Sequence, residues 1–145
     1  MARAAGTAVA LVVLALVAVP GWLPLIVPDP LTYPELPYPV PNKAIRAGEP
    51  LVLRIARCNH DGRELAITST RKLVHPDGVH AGTWVPLPDG SARVPPGCQT
   101  ETVSLGVIDS RVLPGGYRIE GVATAYGRLR TVNVYWYSEE FEVTP

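Results

Sequence analysis

One short loop holds the residues of this chain that are best suited to metal chemistry. It reads HPDGVH from His75 to His80, so that two imidazoles and the carboxylate of Asp77 lie close together. Zinc accepts such ligands in tetrahedral geometry. The spacing matches no standard zinc site, however, and Pro-Asp-Gly alone indicates a turn. We therefore expect surface histidines without a metal, and keep His75, Asp77 and His80 as the alternative metal site.

Other catalytic patterns receive little support. No serine lies in the G-x-S-x-G motif of many hydrolases, and no glycine-rich phosphate loop opens a helix. A glycosidase needs two converging carboxylates. Glu140 and Glu142 alternate with apolar residues, which is typical of the outward side of a terminal strand. We expect no enzymatic activity and no cofactor.

An aromatic run, Tyr135-Trp136-Tyr137, is the strongest candidate for a binding surface. Trp136 continues the period-2 pattern of the two preceding valines and is assigned to the core. Tyr135 and Tyr137 then point outward, where aromatic side chains often dominate binding. Beside Arg118 or Arg128 they could bind a partner protein or a sugar. The alternative is that these aromatic residues belong to the core or to ordinary surface with no binding role.

The sequence contains two cysteines, Cys58 and Cys98. An even number in an oxidising compartment predicts one disulfide, which would close a loop of about forty residues and stabilise the fold by about 4 kcal/mol. Two separate buried thiols are the alternative. A C-x-x-C pair is absent, so thiol–disulfide catalysis is not expected.

The stretch 4–27 is apolar and uncharged. About 20 such residues span a bilayer, and the poor signal-peptidase site favours a retained anchor over a cleaved signal. Pro20 either ends the helix or kinks it. Arg3 favours a cytoplasmic amino terminus. We therefore expect a single-pass membrane protein whose carboxyl-terminal domain is periplasmic or extracellular.

Charge is balanced along the chain. The formal net charge is +0, and acidic residues are interleaved with basic ones. A nucleic-acid-binding protein would concentrate basic residues on one surface. We therefore expect no nucleic-acid partner.

A proline-rich segment, 28–41, follows the apolar stretch and reads PDPLTYPELPYPVP. Such a segment favours extended polyproline II, which would hold the domain about 40 Å from the membrane. We predict a stiff stalk. A P-x-x-P motif from Pro34 to Pro37 leaves a docking motif as the alternative.

The remainder, 42–145, alternates short β-rich runs with turn signals, including three Asp-Gly steps. This pattern predicts an all-β sandwich. We place its strands at 51–58, 64–74, 83–87, 100–107, 117–126, 129–137 and 141–143.

The apolar positions change parity near the carboxyl terminus. They fall on even numbers up to Trp136 and on odd numbers from Phe141. A period-2 pattern changes sides only through an extra residue or a bend. We predict a β-bulge or kink at Ser138-Glu139.

Two sequence stretches resemble bacterial immunoglobulin-like domains. LPGGYRI, from Leu113 to Ile119, resembles the entry to their penultimate strand, and Ser138 to Val143 resembles their last strand. The resemblance implies an immunoglobulin-like β-sandwich in which Tyr117 forms a tyrosine corner. Cys98 lies too early for the usual inter-sheet bridge, so the disulfide is expected to tie a strand end to a long loop.

The layout of anchor, stalk and one such domain also resembles small membrane proteins of bacteria and their phages. We therefore expect a membrane-anchored, extracytoplasmic, non-enzymatic binding or scaffolding module with a protein partner in the cell envelope. The alternative is a secreted or envelope enzyme with an unrecognised, metal-dependent site.

Overall fold

A computed structural model describes residues 27–145, and within that range the chain is all-β. The predicted anchor, 4–27, lies outside the described residues apart from Val27. From residue 27 onward, no helix is long and apolar enough to cross a membrane. The strands are β1 Leu31–Thr32, β2 Ala44–Arg46, β3 Pro50–Asn59, β4 Leu65–Val74, β5 Trp84–Val94, β6 Gly97–Val107, β7 Gly115–Tyr126, β8 Thr131–Tyr137 and β9 Phe141–Thr144.

The strands form two sheets that enclose one core. The smaller sheet has the order β1-β3-β6. The six-stranded sheet has the order β2-β9-β7-β4-β5, and β8 pairs with β7 on the same side as β9. The core contains side chains from both sheets, among them Leu53 and Leu105 from the smaller sheet and Leu73 and Ile119 from the larger. Alternate residues of each strand therefore point inward, as the period-2 pattern predicts.

Strand β5 is longer than the sequence indicates. The Asp89-Gly90 step, which we expected to form a turn, lies inside β5, where the register with β4 shifts by one residue. Pro86 and Pro88 also lie in this strand. An edge strand accepts prolines because one side of its backbone needs no donors, and β5 is at the sheet edge.

The predicted bulge between the last two strands is confirmed. The backbone N–H of Ser138 donates a hydrogen bond to the carbonyl oxygen of Ile119, and the N–H of Ile119 donates one to the Ser138 hydroxyl, whereas Phe141 pairs with Tyr117. Two residues, Glu139 and Glu140, therefore oppose one residue of β7. This extra residue moves Phe141 and Val143 to the core side, where both are buried.

The stalk prediction for 28–41 is wrong. Leu31, Tyr38 and Val40 are buried in the core, and β1 adds to the edge of β3. The Tyr38 hydroxyl donates a hydrogen bond to the carbonyl oxygen of Ala56. The apolar residues between the prolines provide enough hydrophobic burial to hold the segment against the domain. The folded unit therefore begins before residue 42.

Cys58 and Cys98 form the predicted disulfide. The two residues are direct cross-strand neighbours in β3 and β6, so the bridge lies within one sheet. The prediction that it ties a strand to a long loop is therefore wrong. The turn signal PPG at 95–97 brings β6 back alongside β3 earlier than the sequence indicated.

Tyr117 forms the contact that a tyrosine corner requires. Its hydroxyl donates a hydrogen bond to the carbonyl oxygen of Leu113 over 2.8 Å. The ring is buried, so this bond also satisfies the phenol in the core.

Candidate functional site

The outer side of the six-stranded sheet brings several of the predicted binding residues together. In β7 the even-numbered residues point outward, opposite the core residues Ile119 and Ala123. The register places Lys72, Glu120 and Tyr137 in one row across β4, β7 and β8. Neighbouring rows add further side chains. The surface, which we call the aromatic face, consists of Lys72, Trp84, Arg118, Glu120, Val122, Tyr135 and Tyr137.

An ion-paired cluster lies at the centre of the aromatic face. Arg118 donates hydrogen bonds from Nε and Nη2 to Glu120 Oε1, over 2.9 and 2.6 Å. Lys72 Nζ lies 3.5 Å from Glu120 Oε2. Glu120 is only 8% exposed, so its carboxylate depends on these partners.

The charges also shift the titration of the cluster. Burial by itself raises the pKa of Glu120, but the hydrogen bond and charge of Arg118, with the charge of Lys72, lower that pKa overall. Burial and the nearby Glu120 carboxylate raise the pKa of Tyr135. At neutral pH the cluster therefore contains one anion, two cations and a neutral phenol.

Aromatic side chains surround this charged centre. The rings of Tyr135 and Tyr137 stack with their centroids 5.9 Å apart. Lys72 Nζ lies 5.9 Å from the ring centroid of Trp84, within cation–π range. Trp84 and Tyr135 are 57% and 50% exposed. A groove of about 350 Å³ runs between them, and Val122 and Pro86 form part of its walls.

Arg128 is not part of the aromatic face. It follows the opposite end of β7, and its backbone N–H donates a hydrogen bond to Asp61 Oδ1 over 2.9 Å. This bond is the main reason why the pKa of Asp61 is lowered. The predicted binding set is thus divided, with Tyr135, Tyr137 and Arg118 together and Arg128 apart.

The alternative metal site is not assembled. Among residues 27–145, no group of three His, Cys, Asp or Glu side chains is arranged to hold a metal ion. His75 Nδ1 lies 3.0 Å from the carbonyl oxygen of Gly116, and its ring packs on Tyr117 at a centroid distance of 3.9 Å. The His80 ring lies 5.7 Å away, at centroid distance. Of the two loop histidines, His75 packs on the buried Tyr117 ring, and His80 is exposed.

Sequence reasoning missed Trp84, Lys72 and Glu120 as members of the aromatic face. Their association depends on pairing between β4, β5 and β7, which are separated along the chain. A partial signal existed: Glu120 and Lys72 both occupy the polar side of their strands. The pairing partner of each strand was nevertheless not readable from local pattern.

No family model and no curated protein matches this chain. Among solved structures, it is similar to a ceramidase complexed with C2 (16% identity, TM-score 0.47, 77% of this chain and 19% of that chain). It is also similar to the neutral ceramidase from Pseudomonas aeruginosa (17% identity, TM-score 0.48, 75% of this chain and 19% of that chain).

A third similar structure is the CARDB domain of a Pyrococcus furiosus protein in complex with di-metal ions. It shares 13% identity at a TM-score of 0.41, over 77% of this chain and 90% of that chain. This chain covers only 19% of the ceramidase chains that it matches. None of these similarities bears on function.

Proposed function

We propose that this chain is a membrane-anchored, extracytoplasmic, non-enzymatic binding or scaffolding module, built on an immunoglobulin-like β-sandwich, that binds a protein partner of the cell envelope. The aromatic face is the contact surface. The observation that carries this proposal is the ring of exposed aromatic side chains around the buried Glu120 ion pairs. Such a surface combines contact area with fixed polar groups.

The composition of the aromatic face favours a protein partner. Trp, Tyr and Arg are the residue types most enriched among residues that dominate protein–protein binding energy. The groove between Trp84 and Tyr135 is about 350 Å³, large enough to accept an apolar side chain of the partner. The ion pairs hold Arg118 and Lys72 in place, so little side-chain entropy is lost on binding.

Two features support the location. The Cys58–Cys98 disulfide is typical of proteins in oxidising compartments. The apolar, uncharged stretch 4–27 is long enough for a membrane span, with Arg3 on the side expected in the cytoplasm. The Tyr117 corner and the two packed sheets support the immunoglobulin-like assignment.

Site-specific photocrosslinking of the full-length chain in native membranes tests the contact surface. A photoreactive residue is placed at Tyr135, at Trp84 or at Val107. Val107 is the matched control because it is exposed and apolar but lies in β6 of the other sheet. We expect one discrete crosslinked polypeptide from positions 135 and 84, and none of that mass from position 107.

Two results would contradict this assignment. Equal crosslinking from all three positions would mean that the aromatic face has no special role. A product that carries carbohydrate and no second polypeptide would replace the protein partner by a sugar. Intact mass of the membrane-extracted chain tests the anchor separately, because a mass lacking the first 27 residues would show that the segment is cleaved.

A further inference from the structure

A second concave site lies between the two sheets, on the side away from the aromatic face. The chain passes from β5, an edge of the larger sheet, into β6, an edge of the smaller one. The two edges separate and leave an opening of about 400 Å³ that leads to the sandwich interior. At the end of the opening away from the turn, the two strands approach each other again, since a Cβ added to Gly106 would lie 3.4 Å from Pro88 Cγ. We call this opening the inter-sheet cleft.

The walls of the inter-sheet cleft carry charged side chains on positions that normally hold apolar residues. Arg57 continues the inward-facing series of Leu53 and Ile55 in β3, and is only 7% exposed. Arg71 lies on the inward side of β4, in the same series as Leu73. Its guanidinium group covers Gly90 so closely that a Cβ at that position would lie 2.3 Å from Nη2. Two arginines from different sheets therefore line one cleft.

These arginines are incompletely paired by the protein. Arg57 forms an ion pair with Glu101, and Arg71 interacts with the charge of Asp89 on the outer side. Even so, Arg57 Nε, Arg71 Nε and Ser69 Oγ are buried without a hydrogen-bond partner among residues 27–145, and so is one acceptor of the same cleft, Glu101 Oε1. Burial lowers the pKa of both arginines. Buried donors are nearly always satisfied in folded proteins, so their clustering here points to an acceptor from outside the chain.

The other lining groups indicate the character of that acceptor. Ser91 and Ser104 lie at the exposed rim, and Tyr33 and Trp136 supply aromatic surface inside. The Glu101 carboxylate, besides its ion pair with Arg57, can accept hydrogen bonds from hydroxyl groups of a ligand, and its negative charge disfavours a dianion. Guanidinium N–H groups match a carboxylate in geometry and charge. The volume lies within the range of small-molecule sites.

We propose that the inter-sheet cleft binds a small hydroxylated monocarboxylate, of the sugar-acid class. Its carboxylate accepts hydrogen bonds from Arg57, Arg71 and Ser69, and its hydroxyls donate hydrogen bonds to Glu101. Arg71 also lines the groove of the aromatic face, whereas Arg57, Ser69 and Glu101 line the inter-sheet cleft and not that groove.

Titration of the full-length chain, solubilised in a mild detergent, with D-glucuronate tests this site. The readout is the side-chain Nε–H resonances of the arginines. D-glucose is the neutral probe of the same size, and inorganic phosphate is the dianionic probe. We expect saturable shifts of the Arg57 and Arg71 resonances with D-glucuronate alone.

Variants assign the effect to residues. Arg71→Gln is expected to weaken D-glucuronate binding about tenfold to a hundredfold, because it removes a charged hydrogen bond. Ser69→Ala, at the same site, should weaken D-glucuronate binding less than Arg71→Gln does. The matched control is Arg54→Gln, since Arg54 is exposed on the opposite side of β3 and should bind as the native chain does.

Three outcomes would overturn the proposal. These are unshifted Arg57 and Arg71 resonances at saturating D-glucuronate, equal shifts with D-glucose, and preferential binding of phosphate. The wild-type resonances provide a direct test even if a variant fails to fold. Failure here would leave the crosslinking result at the aromatic face unaffected.

Discussion

Two adjacent residues of β7 have important roles on opposite sides of the larger sheet. Glu120 points outward and binds Arg118 and Lys72, whereas Gly121 points inward beneath the Trp136 ring. The first residue fixes the charged centre of the aromatic face. The second allows the indole to lie against the backbone, because any side chain would occupy the same space.

Glu120→Gln should lower the free energy of unfolding by about 1–2 kcal/mol at neutral pH, because Arg118 and Lys72 lose their partner. The value is modest since both cations are partly exposed. The pKa of Glu120 lies below its ordinary 4.5 in the folded chain. Its contribution is therefore present above that pH and lost as the pH falls through the folded pKa.

Urea unfolding across this pH range measures the effect. The difference between Glu120→Gln and the native chain should shrink in acid. Glu64→Gln is the control, because the Glu64–Arg93 pair is exposed and should contribute little. Equal losses in the two variants would show that burial of Glu120 is unimportant.

Gly121→Ala should lower the free energy of unfolding by about 1–3 kcal/mol, since the added methyl would lie 2.4 Å from Trp136 Cζ2 and force the ring to move. Gly116→Ala in the same strand is the control, because no atom lies within 4 Å of its added methyl. Thermal unfolding distinguishes the two. A neutral Gly121→Ala would mean that Trp136 is not packed on β7.

At the scale of elements, the proline-rich segment that contains β1 is part of the folded domain. Its prolines prevent long regular pairing, but Leu31, Tyr38 and Val40 alternate with them and are buried. The segment therefore closes one side of the sandwich between β3 and the bulge at Ser138. An isolated 42–145 fragment would lack these core side chains.

Tyr38→Ala should accordingly lower the free energy of unfolding by about 3–5 kcal/mol, through a cavity and the lost hydrogen bond to Ala56. Glu35→Ala, on the exposed part of the same segment, should have little effect. Chemical denaturation of the full-length variants measures both. A neutral Tyr38→Ala would restore the interpretation of the segment as a stalk.

At the scale of the whole molecule, the two sheets are stabilised in different ways. The disulfide couples the ends of β3 and β6, which are 40 residues apart in sequence. It therefore stabilises the smaller sheet directly, and the walls of the inter-sheet cleft indirectly. The larger sheet depends instead on the β7 pairings.

Replacing both cysteines, Cys58→Ala with Cys98→Ala, should lower the free energy of unfolding by about 4 kcal/mol, because the unfolded chain regains the entropy of a forty-residue loop. Reduction of the native chain should produce a similar loss. Unfolding in denaturant, with and without reductant, measures this. An unchanged midpoint in both experiments would show that the bridge does not stabilise the fold.

The sequence alone determined the all-β class, most strand positions, the disulfide, the bulge after Ser138 and the outward direction of Tyr135. These follow from local rules: alternation of two, turn residues and a parity change. Only the tertiary structure decided that 28–41 joins the core, that Arg128 lies apart from Tyr135, Tyr137 and Arg118, and that Trp84 and Glu120 lie beside them. It also placed Arg57 and Arg71 across one cleft. These outcomes depend on which strands pair and which sheets pack, and long-range contacts of this kind leave no periodic signal in a single chain.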